Sequence, residues 1–300
     1  MTSISSALRA RWLSQAAQQA QGFVHLNDVH ANLSIWLDQQ LRRITDPDFA
    51  NRFALACPIP GARPTDYAQR IRTLPEAGQC LLGIRFFGGD HSKPFVDLLA
   101  WETLPGPNAW PTLCDAIAAD FAVFQPRSVR VLLDTGVAIA NARPDQVWVA
   151  GALKNINDIP VPSFVTTMRS DASEAESVAR AYTGEEVTGL SPADEDDLRD
   201  CEIIVRLEID GAWGGVAAAQ RARQWAVDGY LIVEEVLAPS FRGKGLGPVL
   251  QQALLIEIRA EASQEAVVFG TIDAKNLPSR HTARRCGRQE RAQWWFIPTV

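Results

Sequence analysis

The alternation of apolar and polar positions predicts a series of strands in the second half of the chain. Four segments have strand composition: 164–169, 201–209, 214–223 and 229–237. Asp210-Gly211, between the second and third of them, is a hairpin turn signal. The last three strands are therefore expected to form an antiparallel meander. A helix with acidic residues in its first turn is predicted over 171–182.

A second set of elements follows the meander. Apolar residues recur at Leu250, Leu254 and Ile258, which predicts a helix. Segment 266–272 has the character of a buried strand, and its connection through a helix implies a parallel neighbour. Segment 276–287 is expected to be a further helix that Gly287 ends, and 293–300 a closing strand.

The first half has a similar outline. Strands are predicted at 80–87, 95–102, 128–134 and 147–153, with a helix over 108–124. We interpret the repeated strand–helix–strand order as a degenerate duplication. The predicted fold is α/β (α+β), with a mixed, mostly antiparallel sheet flanked by helices and two tandem domains. Because two prolines interrupt 155–163, the domain bounds are predicted at 1–155 and 156–300.

Composition narrows the classes of function. The chain has 300 residues, 47% of them hydrophobic, and a net charge of −6, which disfavours a general nucleic-acid or membrane binder. Its five cysteines are scattered without a CxxC pair, so neither a disulfide framework nor a metal site is expected. We expect a cytoplasmic protein, monomeric or homodimeric, since no segment resembles a signal peptide or a membrane span.

The segment FRGKGLG (241–247) lies between a predicted strand and a predicted helix. Unpaired amides at a helix N-terminus, with glycines that admit a ligand oxygen, favour a bound phosphate or pyrophosphate. The P-loop and dinucleotide motifs both fail here, because no Lys-Ser or Lys-Thr follows and Pro248 or Leu250 stands where a glycine is required. The pattern Arg/Gln-x-x-Gly-x-Gly/Ala is satisfied by Arg242, Gly245 and Gly247.

With this motif, residues 163–300 resemble the GNAT superfamily of acyl-CoA-dependent N-acyltransferases. The segment VLAPSFRGKGLGPVLQQAL is similar to the pyrophosphate-loop region of that family. A second block, NLPSRHTARRCG, resembles the helix that lines the far side of the coenzyme A channel, through Asn276, Ser279, Ala283 and Gly287.

The resemblance implies a set of cofactor contacts. The backbone amides of five consecutive residues would hold the pyrophosphate: Gly243, Lys244, Gly245, Leu246 and Gly247. Arg242 and Lys244 would add positive charge. The pantetheine arm would lie along Val236 and Leu237 in a gap between diverging strands, with an amide near Leu237 polarising the thioester carbonyl. Asn276 and Ser279 would contact the arm near its sulfur. The implied cosubstrate is acetyl-CoA or another acyl-CoA, without a metal.

The catalytic residues are less defined by sequence. Glu234 and Glu235 are candidates for the general base, on opposite faces of one strand, and Glu235 is favoured because it shares the face of Leu237. Strand carboxylates paired at a surface are the alternative interpretation. The family commonly has a tyrosine acid where this chain has Ala283, so Ser279, His281 or water would have to replace it. Cys286, just before the predicted end of the helix over 276–287, is expected to be a packing residue.

Two charged groups remain open to either interpretation. An acidic stretch over 183–202 either forms a wall for a cationic amine acceptor or is a solvated loop. Four arginines either meet the nucleotide phosphates or form a solvated helix face: Arg280, Arg284, Arg285 and Arg288.

The predicted function is an N-acyltransferase that transfers an acetyl or other acyl group to a primary amine. The alternatives are a non-catalytic acyl-CoA-binding sensor or scaffold, which the missing tyrosine favours, and a nucleotide-binding protein of another type.

Overall fold

A computed structural model describes residues 4–26, 28–137, 139–171, 173 and 198–299. They form two compact units. The first comprises the chain up to residue 24, residues 28–146 and the chain from 292 onward, and the second comprises 25–27 and 147–291. This grouping differs from the predicted bounds at three places: segments 25–27 and 147–155 lie in the second unit, and most of the C-terminal strand lies in the first.

The described residues of the first unit form four α-helices and five neighbouring strands. The helices are α1 (Ser6–Gln19), α2 (Val29–Arg42), α3 (Pro47–Ala56) and α4 (Trp110–Asp120). The strands are β1 (Arg70–Leu74), β2 (Gly78–Phe86), β3 (Pro94–Trp101), β4 (Ser128–Asp134) and the greater part of β11 (Gln289–Pro298), side by side in that order. β3 and β4 are parallel, and the other pairs are antiparallel. Helix α4 packs on one face through Leu113 and Ile117, and α1 on the other through Trp12.

The second unit contains the remaining strands. These are β5 (Arg143–Ala152), which begins in the first unit, β6 (Val165–Arg169), β7 (Ile203–Ile209), β8 (Ala212–Gln224), β9 (Val227–Leu237) and β10 (Val267–Asp273). Their order is β5-β10-β9-β8-β7-β6. β7 to β9 form the predicted antiparallel meander, β6 adds a further antiparallel strand beside β7, and β9 and β10 are parallel as predicted. Asp210 and Gly211 have positive φ (51° and 74°), as a tight hairpin requires.

Two helices of the second unit border the candidate site. Helix α5 (Gly247–Glu261) has Pro248 in its first turn and packs on the sheet through Leu250, Leu254 and Ile258, as predicted. Helix α6 (Leu277–Arg285) begins at Asn276, whose side-chain oxygen accepts from the N–H of Ser279 at 3.2 Å. The predicted helix over 171–182 lies almost wholly outside the described residues.

Gly287 follows α6 and fixes the path of the chain into β11. Its φ is 92°, and a Cβ there would lie 2.6 Å from the carbonyl oxygen of Asn155. Any other residue would be both strained and in collision with the backbone. Within the described part of the chain, no helix is long and apolar enough to cross a membrane.

Candidate active site

Strands β9 and β10 separate after a short paired stretch. Their register pairs are Val268 with Tyr230 and Phe269 with Leu231, yet β9 continues to Leu237 and β10 to Asp273. All residues of β9 from Leu231 onward are half-buried, although the strand lies in the interior of the sheet. A central strand with both neighbours in place would be covered more fully, so the chain leaves a gap beside β9. We call this gap the β9/β10 wedge; its closed end is at Leu231 and Phe269.

A β-bulge sets the direction of the side chains beside the wedge. Ala218 of β8 faces Glu234 and the next residue, Ala219, faces Ile232, so Val233 is the extra residue in β9. Beyond it, Val236 packs in the apolar cluster on the face away from α5. Glu235 points to the α5 face, where its carboxylate meets Gln251.

The glycine loop (residues 242–247) lies where β9 ends and α5 begins. Gly243 and Gly245 have φ of 74° and 75°, and residues 243–245 are exposed. Within the part of the chain that the structure describes, no side chain caps the N-terminus of α5. Among the described residues, none accepts a hydrogen bond from the amides of 243–247. Five successive N–H groups at a helix N-terminus are thus free for an anion, which fits the pyrophosphate of a coenzyme A thioester.

The two cations of the loop have different surroundings. The Nε of Arg242 donates to the carbonyl of Leu237 at 3.0 Å, which ties the loop to the end of β9. The ammonium of Lys244 lies 5.3 Å from the ring centre of Phe241, and its side chain is exposed. Lys244 is therefore the loop cation that a ligand phosphate can approach from solvent.

On α6, the residues named by the family resemblance lie at the N-terminal end of the helix. Asn276 is the N-cap, and Ser279 is half-buried within its first turn. Ala283 is fully buried in an apolar cluster with Val147 and Val149, so no acid takes the place of the missing tyrosine at that position. His281 is exposed.

Cys286 is a packing residue, as its sequence position predicts. Its Sγ lies 3.7 Å from the carbonyl oxygen of Pro248, beneath the start of α5. Burial raises the pKa of its thiol to about 12. A thiol with that pKa is not a nucleophile at neutral pH.

The four arginines of the α6 region do not act as one group. Arg280 forms a two-point ion pair with Glu290, at 2.7 and 2.8 Å, and Arg284 approaches the same carboxylate at 3.6 Å. The side chain of Arg288 is only 3% exposed. The interpretation of Arg288 as part of a solvated helix face is therefore wrong, because its side chain is buried inside the second unit. Arg285 is exposed.

A buried polar network connects β9, α5 and the start of β11. The Nε2 of Gln251 donates to Glu235 at 2.5 Å, the Nε of Arg288 donates to the Oε1 of Gln251 at 3.3 Å, and Arg288 Nη2 lies 3.9 Å from Glu235. Burial raises the pKa of Glu235, an effect that the charge of Arg288 opposes, and burial lowers the pKa of Arg288. Sequence reasoning missed Gln251, for which the available signal was a polar Gln-Gln pair within an apolar helix. It named Arg288 only as one of four arginines on a helix, without this buried partner.

Glu234 occupies a different position. Its Oε1 accepts a hydrogen bond from the backbone N–H of Glu235 at 2.9 Å. That amide therefore points away from β8 and toward the wedge. Glu234 and Glu235, adjacent in sequence, have their carboxylates in separate environments.

The corresponding loop of the first unit does not offer such a run of free backbone amides. Between β3 and α4 the chain has Pro105 and Pro107, and Pro111 lies in the first turn of the helix, so three positions lack an N–H. Other amides of this loop are used internally: Glu102 and Thr103 both donate to the carbonyl of Ala77. The first unit is therefore not built to hold a pyrophosphate at this loop.

Most of the acidic stretch lies outside the described residues, including 183–197. Of its remaining members, Glu202 accepts from the backbone N–H of Arg221 at 3.2 Å. Among the described residues, no cluster of His, Cys, Asp and Glu could hold a metal ion.

Comparison with known proteins gives a family match within the second unit. Residues 172–287 match the acetyltransferase (GNAT) family. No functionally curated protein matches the chain.

Several solved structures are similar to the chain. A GCN5-related N-acetyltransferase from Sphaerobacter thermophilus is 14% identical with a TM-score of 0.54, over 86% of this chain and 96% of that one. A tandem GNAT protein from the clavulanic acid biosynthesis pathway is 12% identical with a TM-score of 0.48, over 85% and 96%. A GCN5-related N-acetyltransferase from Kribbella flavida is 17% identical with a TM-score of 0.46, over 77% and 90%. The first of these shares its fold with this chain, and the predicted fold class is confirmed.

Proposed function

From the match of residues 172–287 to the acetyltransferase (GNAT) family, we propose that the protein is an acyl-CoA-dependent N-acyltransferase. It transfers an acetyl or other acyl group from the thioester to a primary amine, which attacks the thioester carbon directly. One observation supports this most strongly: the five free amides of residues 243–247 adjoin the open end of the β9/β10 wedge.

The proposed binding mode follows the wedge. The amides of 243–247 hold the pyrophosphate, with Lys244 beside them, and Arg242 keeps the loop against Leu237. The pantetheine arm extends along Val236 and Leu237 like an added strand. Asn276 and Ser279, at the start of α6, line the other side of the arm.

Two carboxylates could serve as the base, and the geometry favours Glu234. Its Oε1 already accepts a hydrogen bond from the wedge-facing backbone N–H of Glu235. That N–H is the group suited to polarise the thioester carbonyl. When a thioester takes that amide, Glu234 gives up this hydrogen bond, and its carboxylate remains on the residue beside the reacting carbon. The sequence favoured Glu235, whose raised pKa also suits a base. The carboxylate of Glu235, however, is already hydrogen-bonded to Gln251 on the α5 face.

In the proposed reaction, the amine nitrogen loses a proton to Glu234 and forms the C–N bond. The C–S bond breaks, and the thiolate takes a proton from Ser279 or from water. Thiolate is a good leaving group, so orientation and carbonyl polarisation supply most of the rate.

A non-catalytic acyl-CoA sensor is the second candidate. The observation that favours it is Ala283, which is fully buried among apolar side chains at the position of the family's tyrosine acid. Such a protein would use the same loop and wedge without turnover.

Two measurements on the full chain separate the candidates. Isothermal titration calorimetry reports binding of acetyl-CoA, and release of free thiol in the presence of a panel of primary amines, including polyamines, aminoglycosides and lysine, reports transfer. Binding with amine-dependent thiol release supports the enzyme. Binding without release on any amine supports the sensor, and absence of binding contradicts both.

A further inference from the structure

Arg288 lies at the closed end of the β9/β10 wedge. Its Nη1 is 3.7 Å from the position that a Cβ on Gly270 would occupy. Gly270 is the first residue of β10 beyond the last register pair, Phe269 with Leu231. The same Cβ would lie 3.3 Å from the carbonyl oxygen of Ile232, the corresponding residue of β9. The absent side chain at Gly270 thus leaves room for the guanidinium where the two strands part.

The guanidinium of Arg288 has few partners for a buried cation. It has five N–H groups, and only the one on Nε donates a hydrogen bond within the described residues, to Gln251 at 3.3 Å. Its nearest carboxylate oxygen, on Glu235, is 3.9 Å from Nη2, too far for a hydrogen bond. Burying a cation with unfilled donors is costly. An arginine that is 3% exposed therefore has two terminal nitrogens available to a ligand.

A purely structural ion pair would have a different geometry. In the same unit, Arg280 and Glu290 meet through two parallel hydrogen bonds of 2.7 and 2.8 Å. Glu235 instead directs its hydrogen bond to Gln251 and leaves the guanidinium open. The amide of Gln251 contacts both side chains and holds them apart.

The direction of the wedge identifies which part of a ligand reaches Arg288. The pyrophosphate cradle adjoins Leu237 at the open end, and Ile232 lies five residues further along β9, about 16 Å away at the rise of an extended strand. An arm that enters at the loop and extends along β9 brings its far end, the acyl group, to the closed end. The residues there that bear charge on the α5 face are Arg288 and Glu235.

We propose that Arg288, held by Gln251, is a carboxylate-binding subsite, and that the acyl donor is the coenzyme A thioester of a short dicarboxylic acid. This rests on the proposed function. A terminal carboxylate on the acyl group would fill the open nitrogens with charge-assisted hydrogen bonds in the two-point geometry that arginine favours.

The test compares donors that differ only in charge. Calorimetry on the full chain measures the affinity for malonyl-CoA against 3-methylbutanoyl-CoA and for succinyl-CoA against 4-methylpentanoyl-CoA, in which an isopropyl group replaces the carboxylate. At least one dicarboxylic donor is expected to bind about tenfold or more tightly than its neutral counterpart. Arg288→Gln is expected to reduce that ratio to near one. Arg280→Gln, which breaks a pair outside the wedge, is the matched control and should keep the ratio.

Because Arg288→Gln leaves Glu235 without its counter-charge, the double variant Arg288→Gln/Glu235→Gln is measured beside it, with circular dichroism to establish folding. Loss of the ratio in either folded variant supports the subsite. If the wild type binds acetyl-CoA but binds the dicarboxylic donors no more tightly than their neutral counterparts, the subsite is overturned and the proposed function stays intact. The same conclusion follows if both variants keep the wild-type affinity ratio. A protein that binds no acyl-CoA at all contradicts the proposed function itself.

Discussion

The carboxylate of Glu234 accepts a hydrogen bond of 2.9 Å from the backbone N–H of its neighbour Glu235. The bulge at Val233 makes this contact relevant to chemistry, because that amide faces the wedge and not β8. In the free protein Glu234 thus satisfies a polar group that would otherwise be open. In the proposed complex the thioester carbonyl takes the same amide, and the displaced carboxylate stays at the reacting centre.

Glu234→Gln tests this assignment. The amide oxygen of glutamine can still accept from the N–H of Glu235, but it cannot take a proton from the amine. We expect kcat for acyl transfer to fall by about 10²–10⁴-fold, while the calorimetric affinity for acetyl-CoA changes little. Glu208→Gln, which removes a carboxylate paired with Arg206 on β7, is the matched control. If kcat is unaffected by Glu234→Gln and falls in Glu235→Gln, Glu235 is the base.

The glycine loop gives a second prediction, through a pair of substitutions at one site. Gly245 has φ of 75° and open space around the position of a Cβ, so Glu and Gln impose the same backbone strain and similar volume. Only Glu adds negative charge at the proposed pyrophosphate site. We expect Gly245→Glu to weaken coenzyme A binding about tenfold or more beyond Gly245→Gln, since like charges at contact distance repel by a kcal/mol or more. Calorimetry at low ionic strength measures the difference; equal affinities would place the pyrophosphate elsewhere.

The sequence predicted the local parts of this molecule well and the non-local parts poorly. Alternation identified β7 and the turn at Asp210-Gly211, and the glycine loop was recognised from three residues. The pairing of β11 with β4, which draws the C-terminal strand into the first unit, has no local signal, because periodicity sets which face is buried but not which strand is the neighbour.

The network of Gln251, Glu235 and Arg288 was missed for a related physical reason. Its members come from three elements separated by 16 and 37 residues. Each of these three polar residues, taken alone in the sequence, is of a type that usually lies at the protein surface. Only the fold reveals that the polar side chains meet in the interior.

Gly287 gives a prediction about stability. Gly211 also has positive φ (74°), but a Cβ there would meet nothing within 4 Å, whereas at Gly287 it would meet the backbone of Asn155 and Ile156. Gly211→Ala is expected to cost about 1 kcal/mol from backbone strain. Gly287→Ala should cost a further ~1–3 kcal/mol from overpacking. Denaturant unfolding, monitored by hydrogen exchange in the second unit, measures the loss in free energy of unfolding for both variants. Equal losses would contradict the close approach of the Asn155 and Ile156 backbone to Gly287.

The last prediction concerns pH, and two glutamates of the second unit should respond with opposite signs. Burial raises the pKa of Glu235 above its ordinary value of 4.5. The folded protein then binds more protons at this group than the unfolded chain, so its contribution to stability is fully present below pH 4.5 and is lost as the pH rises through the folded pKa. Glu235→Gln should therefore gain stability relative to the wild type between pH 4.5 and neutral pH.

Glu290 is the matched control with the reverse shift. Hydrogen bonds from Arg280 lower its pKa below 4.5, so its contribution is present above pH 4.5 and is lost as the pH falls through the folded pKa. Glu290→Gln should be less stable than the wild type at neutral pH, with the deficit shrinking in acid. Denaturant midpoints of the three proteins from pH 3 to 8 give the two differences directly. If the two stability differences have the same sign and the same slope with pH, the carboxylate of Glu235 is not held in a desolvated site. That result would contradict the buried network beneath α5.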